Sequence, residues 1–205
     1  MANDQDVEKT GLNYNALTTS KVKGNKERLV ALMRLLCLFA TISATIVMAL
    51  NKETKTIVVA TIGTTDIKAT LTAKFQHNPA NIFFVVANGL ASLHNILALA
   101  LYVFGTKLDR KGVGFTIISI FDIINLAILA AGTSSAAFMA DLAKHGNSHS
   151  AWNKVCDKFE SFCNHGAGAL LASFIGLAIL LLLTLVSNIR LHQNATKTTS
   201  SSVEM

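Results

Sequence analysis

Two residues of opposite charge stand inside apolar runs of this sequence, Arg34 in LVALMRLLCLFATISATIVMAL and Asp122 in SIFDIINLAIL. A charged side chain in hydrocarbon costs at least about 2.5–3.5 kcal/mol on insertion scales, so each needs a partner, a neutralising proton or a task. Together they offer a short, bidentate, charge-assisted pair. Apart, Arg34 snorkels to the headgroups and Asp122 takes up a proton. A second polar set, Asn88, Ser92 and Asn95 with His94 beside them, falls on one helical face. It suits interhelical hydrogen bonding first and a proton relay through His94 and Asp122 second. No nucleophile–base set, phosphate loop or cofactor motif emerges, so no catalytic or cofactor-binding residue is assigned.

Cys156 and Cys163 are the two cysteines outside the apolar runs, on the side read below as oxidising, which favours a disulfide closing a small loop. Trp152, Val155, Cys156, Phe159, Phe162 and Cys163 also recur at three- and four-residue steps, the pattern of a short amphipathic helix. An unbroken helix would set the two cysteines roughly 10.5 Å apart, beyond the roughly 7 Å that a bridge tolerates between Cα atoms. A bridge therefore requires the helix to bend or end near Glu160. His145, His149 and His165 flank the pair, but their order with the cysteines matches no usual zinc spacing, and no metal is assigned. Cys37, within the first run, reads as a small buried apolar residue.

The elements that must position these groups follow from composition. The chain has 205 residues, of which 51% are hydrophobic and only 15% charged, with a mean hydropathy of +0.46, too oily for an ordinary soluble domain. Four runs reach the roughly 20 apolar residues that a spanning helix needs, at about 29–50, 80–104, 113–138 and 166–189. The first is longer than a signal peptide's apolar core and follows a charged 28-residue tail, so it reads as a retained span. The fold class is an all-α membrane protein, a four-transmembrane-helix bundle carrying a small extracellular β-hairpin and a short extracellular helix. Its membrane domain covers 29–190, between flexible tails at 1–28 and 191–205.

Lys21, Lys23, Lys26 and Arg28 precede the first span, Lys107, Arg110 and Lys111 crowd the short inner loop 105–112, and Arg190 ends the last span. This places both termini in the cytosol, although the outer loops 51–79 and 139–165 hold seven lysines of their own. The first and third helices then run parallel, with Arg34 roughly 8 Å and Asp122 roughly 14 Å below the inner surface, an offset a guanidinium stem can bridge. The net charge of +6 forms no basic patch with interleaved aromatics, so nucleic acid is not an expected partner; the lipid bilayer is. Asn194-Ala-Thr196 matches a glycosylation sequon but faces the cytosol in this topology.

In the first outer loop KTIVVATIGTTDIKATLTAKF predicts two strands, near 55–62 and 67–75, about a Gly-Thr-Thr-Asp turn. Helix four carries Gly168, Ala172 and Gly176 at four-residue intervals and helix three carries Ala127, Ala131 and Ser135, stripes that let backbones approach closely.

The segments NKETKTIVVATIGTTDIKATLTAKF, FFVVANGLASLHN, LDRKG and AGTSSAAFMADLAKHGNSHSAWNKVCDKFESFCNH, with Arg34 and Asp122, resemble the plant CASP-like proteins, relatives of the Casparian strip membrane domain proteins, in their first subfamily. The resemblance covers Arg28 to Arg190. It implies a four-helix plasma-membrane protein with cytosolic ends, in which Arg34 and Asp122 are the recurrent intramembrane charges. It further implies a scaffold that forms homodimers, heterodimers and higher oligomers with relatives, organises a membrane domain and is linked through cell-wall enzymes to wall modification. The short Phe-rich signature of the Casparian members is missing from the first outer loop, which leaves assembly as the firmer inheritance. The alternative from the residues is a small channel or transporter with a polar path near Asp122, His94 and Asn88. A claudin-like junction protein would need a cysteine pair in the first outer loop, which has none.

Overall fold

A computed structural model of the chain describes residues 4–104 and 113–203. Its elements run α1 (Asp4–Ala49), β1 (Lys52–Ile62), β2 (Thr65–Lys74), α2 (Pro79–Phe104), α3 (Val113–His145) and α4 (Glu160–Val203). Among the described residues four segments are long and apolar enough to cross a membrane: Glu27–Ala49, Pro79–Val103, Thr116–His145 and Glu160–Gln193. The chain is thus a multi-pass membrane protein. Helix is the form such spans take, because hydrocarbon offers nothing to an unpaired backbone group. Residues 105–112, with the charges Lys107, Arg110 and Lys111 used above for orientation, lie outside the described residues.

The helices pack as a ring in which α1 touches α2 and α4, and α3 touches the same two, so α1 and α3 face each other across a diagonal. Their buried positions follow a strict rhythm: Arg34, Cys37, Thr41, Ala44, Met48 and Asn51 on α1 and just beyond it; Asn81, Phe84, Asn88, Ala91, Asn95 and Ala98 on α2; Ala169, Ser173, Leu180, Leu183 and Ser187 on α4. Steps alternating between three and four average 3.5 residues, the period of a left-handed, coiled-coil-like bundle. Two apolar clusters sit along the axis. One, at the hairpin end that the sequence reading puts outside, gathers Ala44, Met48, Phe84, Ala136, Ala169 and Leu170, and the other, toward Arg34, gathers Cys37, Ala91, Leu129, Leu180 and Leu183.

Three features differ from the sequence expectations. First, helix continues to Val203 in α4, where a flexible end is expected, and starts at Asp4 in α1, where the expectation is a disordered or loosely helical segment. Neither segment contains proline, and extending an already nucleated helix costs little. Second, α3 runs seven residues past 138 and α4 begins six before 166. Third, the separate short outer helix is not formed. Residues 151–159 are turns and irregular chain with Trp152 bridged to Asn147, while Phe162 and Cys163 belong to the first turns of α4. The reason is the bridge: Cys156 and Cys163 are disulfide-bonded with Cα atoms 5.7 Å apart, which an unbroken helix cannot provide.

β1 and β2 pair antiparallel, in register Ile62 with Thr65, with a bulge at Val59 between Val58 and Ala60. Gly63 takes φ +63° at the first of two turn residues, a conformation side chains resist and hairpin turns need. Thr54 and Thr72 hydroxyls lie 3.0 Å apart and Thr56 and Thr70 3.1 Å apart, hydrogen-bonding across the strands. The hairpin hands over to α2 through Asn78, whose side-chain oxygen accepts from the Ala80 amide at 3.0 Å, and Pro79 occupies the first helical position, where its missing N–H costs nothing. At the other end of the cap, Gly146 closes α3 at φ +68°, and a Cβ there would meet the Trp152 carbonyl at 2.7 Å.

Candidate functional site

Arg34 on α1 and Asp122 on α3 meet across the diagonal. Nη1 donates to Oδ1 at 3.1 Å and Nη2 to Oδ2 at 2.7 Å, a fork-to-fork arrangement. His94 on α2 adds a third contact, Nε2 to Asp122 Oδ1 at 2.6 Å. A carboxylate offers only acceptors, so Nε2 is the donor in this contact. Asp122 is 0% exposed and Arg34 5%, so one carboxylate gathers three helices. The sequence named all three residues. It weighed His94 as glue or relay and did not foresee that it shares Asp122 with Arg34.

Above the clamp lies a ladder of neutral polar contacts. Cys37 donates to the Gly176 carbonyl and accepts from Asn95 Nδ2, both at 3.4 Å, linking α1, α2 and α4. Ser92 Oγ lies 2.8 Å from Thr41 Oγ1 and 2.8 Å from the Asn88 carbonyl, with one proton to serve them. Thr133 on α3 and Ser173 on α4 are 2.7 Å apart, and Ser173 donates to Asn88 Oδ1 at 2.9 Å. Each such bond contributes on average about 0.6 kcal/mol in a membrane interior; together with His94 on Asp122, the set ties every helix to its neighbours. Thr41, Thr133 and Ser173, and Cys37 as a bridge rather than a filler, escaped the sequence reading. A hydroxyl or thiol inside an apolar run was the available signal.

The small-residue stripes divide between inside and outside. Gly176 is buried, and a Cβ on it would sit 3.0 Å from Thr41 Cγ2; Ala172 packs against the outer cluster. Gly168 has nothing within 4 Å of its Cβ position, and Ala127 and Ala131 are exposed, with Ser135 intermediate. The close approach of α3 to α2 is made instead by Gly132, where a Cβ would meet that of Ala87 at 2.7 Å.

At the outer end the hairpin caps α4. Glu53 Oε2 accepts from the Phe162 amide at 2.7 Å, and Asn51 Nδ2 donates to the Phe162 carbonyl at 2.8 Å. A helix's first amides lack internal partners and carry partial positive charge, so a carboxylate from another segment satisfies both needs. Lys55, 2.9 Å from Glu53, and the Phe162 amide hold that carboxyl below the ordinary glutamate range. Of the three histidines that flank the cysteines, His145 pairs with Asp141 at 2.9 Å and His165 Nδ1 lies 3.4 Å from Ser161 Oγ. Among the described residues no three His, Cys, Asp or Glu side chains converge as a metal requires.

Comparison with known proteins gives a consistent result. The Casparian strip membrane protein domain matches residues 23–179. The chain is 59% identical to CASP-like protein 1B2 of Vitis vinifera over 84% of its length and 85% of the relative's. It is 52% identical to CASP-like protein 1B2 of Populus trichocarpa over 91% and 92%, and 51% identical to CASP-like protein 1B2 of Arabidopsis thaliana over 83% and 89%.

Proposed function

The chain belongs to the Casparian strip membrane protein domain family, among its CASP-like members of the first subfamily, and from that premise we propose that it is a non-catalytic plasma-membrane scaffold. Its bundle associates laterally, with copies of itself or with relatives, to organise a membrane domain, its termini lie in the cytosol, and its outer hairpin and disulfide loop face the cell wall and the enzymes that modify it. The observation that carries this reading is the outward position of Ala127, Ala131 and Gly168. Small residues that the bundle leaves uncovered give a second bundle room for close backbone contact, where oiliness alone drives no association. The internal clamp and ladder support it by keeping that lateral face in one shape.

Purification in mild detergent followed by mass measurement tests the proposal. The wild type is expected as a dimer or larger, and Gly168→Leu with Ala131→Leu as a folded monomer. A wild-type monomer at every concentration, or an assembly indifferent to both changes, rejects it; so does rapid, uniform fluorescence recovery of the tagged protein in cells. The rival reading, a channel or transporter along Asp122, His94 and Asn88, predicts ion flux in liposomes that Asp122→Asn abolishes. Full burial of Asp122, with both oxygens engaged, favours the clamp.

A further inference from the structure

We infer that the outer end of the bundle is a binding site for a neutral, hydroxyl-bearing amphiphile, with Asn81 as its polar anchor. The site is independent of lateral assembly. Two adjoining cavities of about 560 and 490 Å³ lie between the helix ends and the outer loops, and both are lined by Asn78, Asn81, Met139, Ala143 and Phe162. Each is within the size range of small-molecule sites. Asn81 stands at their junction. It is only 8% exposed, its backbone N–H is spent on the Asn78 carbonyl, and among the described residues its side-chain amide has no protein partner. Asn95 Oδ1, the buried side-chain polar atom without a partner among the described residues, is sealed inside the bundle; the Asn81 amide instead opens on the two cavities.

The walls specify the ligand class. The first cavity has an apolar side formed by Met48, Ala136, Ala140 and Leu170, at the outer end of the spans. The second is walled by Trp152, Phe159 and Phe162. Asp141, Asp157 and Glu160 face Lys144 around the first cavity and Lys74 lines the second, and among the described residues no three acidic, His or Cys groups converge to hold a metal ion. An uncharged amide that both donates and accepts matches a hydroxyl, which does the same. The amide is open to the cavities, and a ligand hydroxyl that pairs with it adds a hydrogen bond with a net contribution of about 0.5–1.5 kcal/mol. The roof is fixed by the Cys156–Cys163 bridge and by Glu53 on Phe162, so the chamber exists before the ligand arrives.

The ligand can come from the outer leaflet or from solution. The test uses full-length protein in phospholipid nanodiscs and a monoacylglycerol bearing a photoreactive group in its chain, in a long-chain form confined to the bilayer and a short-chain form dissolved in water. Cross-links are expected to concentrate on 136–143 and 159–170 rather than on the outward-facing Leu181, Leu182, Leu185 and Ile189. Asn81→Leu should lower them about fivefold, the loss of one hydrogen bond. Ala140→Phe, which fills the first cavity from another wall, should lower them at least as far while leaving the disulfide and the size profile intact. Labelling by the long-chain form alone assigns entry to the leaflet, and labelling by the short-chain form assigns a mouth to the outside. Labelling by neither form, labelling spread evenly over lipid-facing residues, or labelling unmoved by Ala140→Phe overturns the site, whether or not Asn81→Leu folds.

Discussion

The bundle interior and the outer cap both hold separate segments in register, and they do it by opposite means. In the interior the contacts that matter are polar: Arg34, His94 and Asp122 at one level, Thr133, Ser173 and Asn88 at another. Large apolar residues such as Leu171, Phe138 and Ile189 point outward, each more than half exposed. In the cap the strongest link is covalent, the Cys156–Cys163 bridge, and the charge contacts are surface ones, Glu53 with Lys55 and the Phe162 amide. Lipid tails compete for oily contacts and never for hydrogen bonds; water competes for both charges and hydrogen bonds. Each region therefore uses the interaction its own solvent does not imitate.

Breaking the interior should have the largest effect. Arg34→Leu strands a buried carboxylate and is expected to cost about 3–5 kcal/mol, read as loss of the single folded peak in detergent and retention inside the cell. The reversed pair, Arg34→Asp with Asp122→Arg, should restore part of the surface expression. If Arg34→Leu traffics and unfolds like wild type, the interior does not depend on its charges. Opening the bridge with Cys163→Ser comes next, at about 2–3 kcal/mol for so short a loop. Hydrogen exchange should rise in 146–163 while the spans stay protected; equal loosening of both would erase the distinction between the regions. Gly132→Ala should cost about 1–3 kcal/mol through overpacking against Ala87, measured as a lower thermal midpoint. An unchanged midpoint would mean that α2 and α3 can separate freely.

The smallest effect sharpens the comparison on the cap side. The Glu53 carboxyl lies below its ordinary range, so its help to the α4 cap is fully present above that ordinary range and is lost as the pH falls through the lowered value. The Phe162 amide signal should follow a titration midpoint below that of an exposed glutamate and stop moving in Glu53→Gln. A midpoint at the exposed value would remove Glu53 from the cap.

The spans, the hairpin and the charged pair were legible in the sequence because each is signalled by a residue type that is costly or rare in its surroundings. Asp122 is an acid among aliphatics, and Gly63 sits between two Val/Ile/Thr runs. Inside and outside were harder to tell apart. In water an apolar stripe marks the buried face, but here both faces of α3 are apolar enough, and periodicity alone does not say that Gly132 and Thr133 turn inward while Ala127 and Ala131 turn outward. The trans cap was hidden for another reason. Glu53 and Phe162 are 109 residues apart, and capping signals are read from neighbours three residues away. The outer helix was misjudged because the apolar spacing over 152–163 fits helix and docked loop alike, and the covalent bridge decided between them.

The diagonal pair has a consequence for how the chain is made. Arg34 precedes Asp122 by 88 residues, and at a synthesis rate of about 5–20 residues per second the basic group waits roughly 4–18 s in the bilayer before its acid is even polymerised. During that interval headgroups within reach of its long stem solvate it, which keeps Arg34 of nascent α1 near a bilayer surface until the third segment is released and Asp122 takes their place.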